Sequence, residues 1–296
     1  MDRAEWLELR RNGVGGSDAP IICGESKWMT PYQLYLEKCG ELPEQPENPY
    51  MLWGRLLEPV VLSQYQEMTG IQFEATDPIV YHPVIPWMFF SPDAVAEDRI
   101  IQAKTARTAE GWGDPGTDEI PRPYIVQVQH EMFVAGKELA DVPLLVGGSD
   151  FRIYQVEADK ELQKLIVGKE EEFWKQVEAK VPPEETSFED IQQRFGAKST
   201  SLAIQASSKV LETIQNLNAL QASIKTAEEL MKDGKALVMA EMGEADTLIH
   251  GDLILCTWKM DKPGMRFSQK ILKEKYPEIF EECQEKKKAT RRFLLK

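Results

Sequence analysis

The chain has 296 residues, of which 42% are hydrophobic and 28% charged, a balance typical of a soluble globular protein. It contains no run of 18 apolar residues and residues 1–5 lack the apolar core of a signal peptide, so no membrane span and a cytoplasmic location are expected. The net charge of −14 argues against binding of nucleic acid over the whole surface.

The charge is unevenly distributed along the chain. Residues 265–296 contain ten Lys or Arg against five Asp or Glu. The rest of the chain therefore has a net charge more negative than the −14 of the whole chain. This basic segment is either a phosphate-facing or partner-facing region or a solvated charged face.

The cysteines and histidines of the sequence limit which kinds of metal site it can form. The four cysteines form no C-x-x-C pair, which gives no signal for a zinc or iron–sulfur site. With three histidines in the chain, a metal site would depend on carboxylates, which suits Mg²⁺ or Mn²⁺.

The predicted elements begin with helices. Residues 1–40 are predicted to be helical around a glycine-rich break at 13–18, where Ser17 or Asp18 can cap the next helix. A long helix over 51–69 ends at Gly70. Strands are then predicted at 71–74, 79–81, 88–91 and 99–105.

The following elements alternate between helix and strand. They are a glycine-rich loop at 110–117, a helix over 123–135, strands at 142–146 and 151–156, and a helix over 159–180. This order predicts an α/β core with a mixed sheet flanked by helices.

A proline-rich segment at 181–185 predicts a boundary between a core of residues 1–182 and a C-terminal extension of residues 183–296. The extension is predicted to contain a long helix over 207–239 and a β-hairpin over 247–259, followed by a strand at 291–295.

The long helix has a heptad-like apolar stripe formed by Val210, Leu217, Ile224 and Met231. The polar residues Gln221 and Glu228 weaken this stripe, which disfavours a free-standing coiled coil. The helix is therefore expected to pack on its own domain or on a neighbouring subunit.

Two short predicted strands carry the most informative polar residues. Asp93 lies on the first, and Gln102 and Lys104 lie on the second, after a polar turn at 97–99. Alternate residues of a strand face the same side, so Gln102 and Lys104 point together while Ala103 points into the core. A hairpin can bring Asp93 to the same edge. An Asp, an acidic or amide residue about nine positions later and a Lys two beyond form the metal-site pattern of a nuclease core.

Glu58 is a third candidate metal ligand, on the predicted helix over 51–69. Gly54, four residues earlier, permits the close approach of another backbone. Taken alone, a glutamate on a helix is more often an exposed surface residue.

Five motifs occur in a fixed order over about residues 1–180. They are Arg10-Arg11-x-Gly13-Val14-Gly15-Gly16-Ser17-Asp18-Ala19, Gly54-x-x-x-Glu58, Ser91-Pro92-Asp93, Gln102-x-Lys104-Thr105 and Tyr124-x-x-Gln127-x-Gln129-x-x-Met132. In this order they resemble the YqaJ-like viral recombinases, which are similar to phage lambda exonuclease within the PD-(D/E)xK nuclease superfamily. The resemblance implies the restriction-endonuclease-like core of that superfamily.

The resemblance also implies roles for the catalytic residues. Glu58 and Asp93 would be ligands of Mg²⁺ or Mn²⁺, and Ala103 would offer its backbone carbonyl. Gln102 occupies the position of the second catalytic acid. The residues implied at the catalytic site are Glu58, Asp93, Gln102, Lys104 and Gln127, with Lys104 as the catalytic lysine.

A second group of residues is implied to contact DNA. Arg10 with Ser17 would hold the 5′-phosphate of a DNA end, because the guanidinium fork can bind two phosphate oxygens. Arg11 is the alternative, since the register is ambiguous by one residue. Trp112, in the glycine-rich loop, would either stack on a base or pack on its own domain.

Gln102 departs from the family pattern, which has glutamate at this position. An amide is neutral and binds a divalent ion less well than a carboxylate. We interpret Gln102 as an inactivating replacement of glutamate, introduced to trap a DNA complex. Alternatively, the native protein has lost or relocated this acid, and Glu97 in the turn is the nearby substitute.

The function implied by the resemblance is Mg²⁺-dependent 5′→3′ digestion of one strand at a double-stranded DNA end. The product would be a 3′ single-stranded tail for a phage annealing protein of the RecT type. A phage or prophage origin and a homo-oligomeric ring around DNA, expected to be a trimer, are implied too. The alternatives are a non-catalytic DNA-end-binding or scaffold protein and an endonuclease of the same superfamily.

Overall fold

The computed structural model describes residues 8–42, 48–73, 79–200, 202–262, 264–285 and 289–295. The chain forms two compact units, Met1–Gln193 and Arg194–Lys296. The division therefore lies later in the chain than the sequence-based boundary at 182/183. Asp190 belongs to the first unit because its buried carboxylate accepts a hydrogen bond from the Thr30 hydroxyl over 2.9 Å.

The long helix of the first unit begins and ends at residues that satisfy free backbone groups. Asn48 accepts the N–H of Met51 at the start of the long helix, and Gly70, at φ 71°, ends it in the left-handed conformation. The helices are α1 (Ala19–Ile22), α2 (Pro31–Lys38), α3 (Pro49–Thr69), α4 (Arg122–Ala135), α5 (Lys160–Ala179) and α6 (Phe188–Phe195), which crosses the unit boundary.

The strands of the first unit form a short pair and a five-stranded mixed sheet. They are β1 (Val80–Tyr81), β2 (Phe89–Phe90), β3 (Ala94–Val95), β4 (Arg99–Ile101), β5 (Lys104–Ala106), β6 (Leu139–Val146) and β7 (Asp150–Glu157). In the larger sheet, β4 and β5 run parallel to successive halves of β6, whereas β3 pairs antiparallel with β4 and β7 with β6. The predicted mixed sheet is thus confirmed.

Two strand predictions were wrong in detail. The continuous strand predicted over 99–105 is interrupted, because the N–H of Ala103 donates to the Asp93 side chain instead of to a neighbouring strand. The strand predicted at 71–74 is absent at residues 71–73, and residue 74 lies outside the described residues.

Helices cover both faces of the sheet. Ile100 of β4 packs in the cluster that contains Met132 of α4, and the next residue, Ile101, packs with Leu62 and Tyr65 of α3. Successive strand residues face opposite sides, so β4 is buried between the two helices. The open end of the β3–β4 hairpin therefore lies where side chains from α3 and α4 can meet.

The second unit consists of a long helix, a hairpin and two short helices. Their bounds are α7 (Ser208–Met242), β8 (Thr247–His250), β9 (Leu253–Thr257), α8 (Gln269–Lys275) and α9 (Pro277–Glu282). The predicted hairpin is present, but residues 291–295 form no strand. Across the described ranges, no helix combines the length and the apolar character needed to cross a membrane.

The apolar stripe on α7 is exposed among the described residues of the second unit. Its members are all exposed: Val210, Leu217, Ile224 and Met231. Among the described residues of the second unit, Met242 is the one buried apolar side chain. The expectation that the stripe packs on its own domain was therefore wrong, whereas packing on a neighbouring subunit stays a prediction.

Candidate active site

The β3–β4 hairpin brings the two central polar residues together. Asp93 immediately precedes β3 and Gln102 immediately follows β4, so they occupy facing positions next to the Ala94–Ile101 pair. Asp93 Oδ2 accepts hydrogen bonds from Gln102 Nε2 at 2.7 Å and from the N–H of Ala103 at 2.8 Å. The predicted convergence of residues 93 and 102 is thus present in the fold.

A cavity of about 250 Å³ opens beside this pair. It is lined by Gly54, Glu58, Asp93, Gln102, Ala103, Lys104 and Thr105. Helix α3 contributes Glu58 and Gly54. A Cβ at Gly54 would meet no atom within 4 Å, so the expected close approach of another backbone was wrong.

The electrostatics of the cavity disfavour ionisation of its carboxyl groups. Burial, together with the charges of Glu58 and Glu131, raises the pKa of Asp93 to about 7 against the opposing effect of Lys104. Burial also raises the pKa of Glu58, again opposed by Lys104. A bound cation would relieve this mutual repulsion.

Lys104 is held between two residues of α4. Its Nζ donates to Gln127 Oε1 at 3.1 Å and lies 5.0 Å from the ring centroid of Tyr124. The amide contact and the cation–π contact together direct the ammonium group towards α4 at the cavity wall.

Sequence reasoning missed Glu131, one helical turn after Gln127. Its side chain is buried, and Oε1 accepts a hydrogen bond from Gln127 Nε2 at 2.8 Å. Burial raises its pKa to about 7, against the effects of Lys104, the Gln127 hydrogen bond and His130. The spacing of four residues from Gln127 is the signal that could have identified it, since such residues share a helix face.

The N-terminal loop at residues 13–18 is fixed to the sheet and to α4. The N–H of Val14 donates to the Trp87 carbonyl at 2.7 Å. At Gly16, a Cβ would come within 2.4 Å of Glu131 Oε1, so a larger residue there would clash. The loop therefore passes close to the face of α4 that carries Glu131.

Arg10 lies over this loop. Its Nη2 donates to Asp18 Oδ1 at 2.7 Å and to Ser17 Oγ at 3.3 Å, and its side chain is 21% exposed. Arg11 instead approaches Glu8, with 3.7 Å between Nη1 and Oε2. The structure thus brings Arg10, and not Arg11, to Ser17.

Asp18 is the buried anchor of this cluster. Lys38 Nζ donates to its Oδ2 at 2.6 Å, and both side chains are fully buried. Burial opposes ionisation, but the charges of Lys38 and Arg10 hold the pKa of Asp18 well below its usual range. Asp18, one of the two residues predicted to cap α1, lies at its N-cap position, but its side chain makes no capping hydrogen bond because Oδ2 accepts the N–H of Gly15.

Trp112 packs within the first unit. Its ring lies 5.4 Å from that of Tyr124 and 5.1 Å from that of Tyr154, centroid to centroid, and it is half-buried. The structure therefore shows the packing contact, and its predicted contact with DNA stays a prediction.

His130 has a structural environment. Its Nδ1 lies 2.8 Å from Glu170 Oε1, and its Nε2 lies 2.9 Å from the Phe89 carbonyl oxygen. Burial lowers the pKa of His130, but Glu170 and the Phe89 carbonyl outweigh it and raise the pKa to about 9. The imidazolium thus ties α4 to β2 and α5.

The donor set at the cavity fits a hard divalent cation. Glu58 and Asp93 offer carboxylates, Gln102 an amide oxygen and Ala103 a carbonyl oxygen. Such oxygen donors suit Mg²⁺ or Mn²⁺. In the part of the chain that is described, no three His, Cys, Asp or Glu side chains are grouped so that they could hold a metal ion. The position of Gln102 is where a third acid would complete the set.

We expect the Asp93→Asn substitution to stabilise the protein at alkaline pH when a chelator removes divalent ions. The pKa of Asp93 rises from its ordinary 3.8 to about 7 on folding, so the unfolded chain ionises first. Stability is therefore lost as the pH rises from about 4 to about 7. Asp93→Asn should remove this loss and raise the free energy of unfolding at pH 8 by about 1–3 kcal/mol.

Urea unfolding at pH 5 and pH 8 measures this effect, with exposed Asp118→Asn as the matched control. Equal pH dependence in the parent chain and the Asp93→Asn variant would show that the carboxyl of Asp93 is not desolvated as described.

Comparison with known proteins places these motifs in a family. The profile of the YqaJ-like viral recombinase domain matches residues 5–138. The uncharacterized protein YqaJ of Bacillus subtilis (strain 168) is 32% identical over an alignment of 308 positions, which covers 100% of this chain and 95% of that protein.

Two solved structures are similar to this chain, and the first of them shares its fold. The alkaline exonuclease LHK-Exo from Laribacter hongkongensis superimposes with a TM-score of 0.50 at 21% identity, covering 60% of this chain and 94% of its own. A phage related exonuclease from Haemophilus somnus 129PT gives a TM-score of 0.45 at 15% identity, over 59% of this chain and 99% of its own. Because the Bacillus relative matches along the whole length, the chain belongs to the family of YqaJ-like viral recombinases.

Proposed function

We propose that this protein is a Mg²⁺-dependent exonuclease that digests one strand of a double-stranded DNA end in the 5′→3′ direction. The observation that carries this proposal is the convergence of Glu58, Asp93, Gln102 and Lys104 on one cavity. The fold shared with an alkaline exonuclease supports it, as does membership of a recombinase family.

Different residues of the cavity would carry out different steps of phosphodiester hydrolysis. A divalent ion bound by Glu58 and Asp93 would neutralise phosphate charge and lower the pKa of a coordinated water. Lys104, held by Gln127, would orient the attacking water or take its proton at the wall of the cavity. The half-buried surroundings strengthen each of these electrostatic contacts.

Gln102 is proposed to leave this chain inactive or nearly so. Its amide donates directly to Asp93 Oδ2, so the pair is satisfied without a cation. The alternative acid, Glu97, is exposed at the turn of the hairpin, whereas Asp93 and Gln102 lie at its open end. Glu97 is thus a poor substitute, and if Gln102 is native, a non-catalytic DNA-end-binding protein is the second candidate function.

The 5′-phosphate of the DNA end is proposed to bind at Arg10 and Ser17. Arg10 keeps its guanidinium fixed through Asp18, and part of its side chain is exposed. The loop that carries Ser17 contacts α4 at Glu131, which is linked through Gln127 to Lys104. We propose that a phosphate held there, connected to Lys104 through these contacts, sets the direction of digestion.

The biological role follows from the chemistry of the product. Digestion of the 5′-ended strand leaves a 3′ single-stranded tail, which is the substrate of a phage single-strand annealing protein. We propose such a partner, together with a homo-oligomeric ring, a trimer, that encloses the duplex. The uncovered stripe on α7 and the segregated charge of the sequence are compatible with further protein contacts.

The polarity is tested with linear duplexes that carry either a 5′-phosphate or a 5′-hydroxyl, digested by the Gln102→Glu form. We expect faster initial digestion of the phosphorylated end and loss of the 5′-ended strand. Arg10→Ala should reduce or remove this preference, because it removes the phosphate-binding fork. Arg11→Ala is the matched control and should keep the preference. Equal digestion rates for 5′-phosphate and 5′-hydroxyl ends by the Gln102→Glu form would rule out a phosphate pocket at Arg10 and Ser17.

A further inference from the structure

Glu131 combines full burial with an incomplete set of hydrogen bonds. Its side chain is 2% exposed, and Oε2 has no hydrogen-bond partner. Within the described ranges, Glu170 Oε2 is the other buried side-chain oxygen in this condition. A buried carboxyl group with an unsatisfied oxygen costs stability, so its presence requires an explanation other than packing.

The hydrogen bond from Gln127 to Glu131 indicates which residue Glu131 acts on. Gln127 has a carbonyl oxygen and an amino group that could exchange places by rotation of the side-chain amide. Glu131 Oε1 accepts from the amino group, and this fixes the carbonyl oxygen towards Lys104. With the amide reversed, an N–H group would face the Lys104 ammonium, and the hydrogen bond between them would be lost.

The N-terminal loop holds Glu131 in this position from the other side. Gly16 lies so close that a Cβ would come within 2.4 Å of Glu131 Oε1 and 2.8 Å of its Cγ. The carboxyl group is therefore confined between the loop and Gln127. The same loop carries Ser17, so one continuous set of contacts connects the proposed phosphate pocket with Lys104.

We infer that Glu131 is a positioning residue that acts on Lys104 through Gln127. By accepting from Gln127 Nε2, it selects the amide orientation in which Oε1 receives the Lys104 ammonium. This inference rests on the proposed nuclease function and adds a residue to it. The essential property is the acceptor oxygen of Glu131, which a glutamine at this position can also provide.

The substitutions Glu131→Met and Glu131→Gln separate this role from packing and from charge. In the Gln102→Glu form, Glu131→Met should lower kcat by about 10- to 100-fold with little change in KM for DNA, as is typical when a supporting contact to a catalytic group is lost. Glu131→Gln should keep most of the activity, because it retains an acceptor oxygen. The matched control is Glu138→Met, which removes an exposed glutamate just beyond the end of α4 and should leave kcat unchanged.

A double substitution tests the path through Gln127. If Glu131 acts through Gln127, Glu131→Met should have no further effect on kcat in a Gln127→Ala background. Additive losses in the double variant would overturn the inference. Equal losses of kcat in Glu131→Gln and Glu131→Met would also overturn the inference, since the negative charge of Glu131 would then be the essential property.

A crystal structure of Glu131→Met tests the same claim without any activity. We expect the Lys104 Nζ to Gln127 Oε1 distance, now 3.1 Å, to exceed hydrogen-bond length. An unchanged bond in a folded variant would overturn the inference even if the protein is a nuclease. A broken bond in a protein without nuclease activity would instead keep the positioning contact and reject the proposed function.

Discussion

Replacing Gln102 by glutamate is expected to raise the rate of Mg²⁺-dependent DNA digestion by about 100- to 1,000-fold, the scale on which one well-placed electrostatic group acts in a catalytic site. The substitution supplies the anionic ligand that the resemblance to the nuclease superfamily implies at this position. The side chain is nearly isosteric, and the cavity beside it already accommodates an amide. The initial rate on a linear duplex, compared between the parent chain and Gln102→Glu, measures the effect.

A change in stability should accompany the gain in rate. Gln102 Nε2 now lies 2.7 Å from Asp93 Oδ2, and a carboxylate in its place would face another carboxylate. Gln102→Glu should therefore lower the melting temperature in a chelator and make stabilisation by Mg²⁺ larger than in the parent. The exposed Gln72→Glu, which adds the same charge elsewhere, is the control and should change neither property. Comparable Mg²⁺-dependent activity in the parent and Gln102→Glu proteins would contradict this account.

Lys104→Ala, made in the Gln102→Glu form, is expected to abolish DNA cleavage while binding persists. Lys104 is fixed by Gln127 and Tyr124 at the wall of the cavity, and we propose that it acts there on the attacking water or on the phosphate. Affinity for DNA, in contrast, is the sum of many phosphate contacts, so the loss of one lysine changes it little. We expect a loss of about 1,000-fold or more in kcat, comparable to removal of a general base together with an electrostatic contact.

Single-turnover cleavage and equilibrium binding to the same duplex distinguish the two contributions. Lys137→Ala provides a control, since this lysine lies just beyond the end of α4 and donates to the Glu97 carbonyl outside the cavity. A large loss of affinity with normal turnover at saturating DNA would show that Lys104 is a binding residue only.

The parts of the site that could be predicted from sequence are those with a local signature. Asp93 and Gln102 are separated by a polar turn, and a hairpin around that turn brings them to facing positions. The helix end at Gly70 followed from an equally local pattern. These features depend on residues close together in the chain, so tertiary packing did not alter them.

The parts that could not be predicted depend on contacts between distant segments. The interruption of the strand at Ala103 follows from a side chain ten residues earlier, which takes the N–H that a neighbouring strand would have received. Glu131 was missed because glutamate is usually exposed, and its burial depends on the approach of Gly16 from another part of the chain. The choice of Arg10 over Arg11 likewise required the buried position of Asp18.

The central claim is tested most directly by incubating the Gln102→Glu form with one DNA sequence in two states, a linear duplex with 5′-phosphates and a covalently closed circle. With Mg²⁺, we predict progressive loss of the 5′-ended strands of the linear duplex, growth of 3′ single-stranded tails and an intact circle, and no digestion of either substrate in a chelator. Cleavage of the closed circle, digestion in the chelator, or an intact linear duplex in the presence of Mg²⁺ would contradict the account.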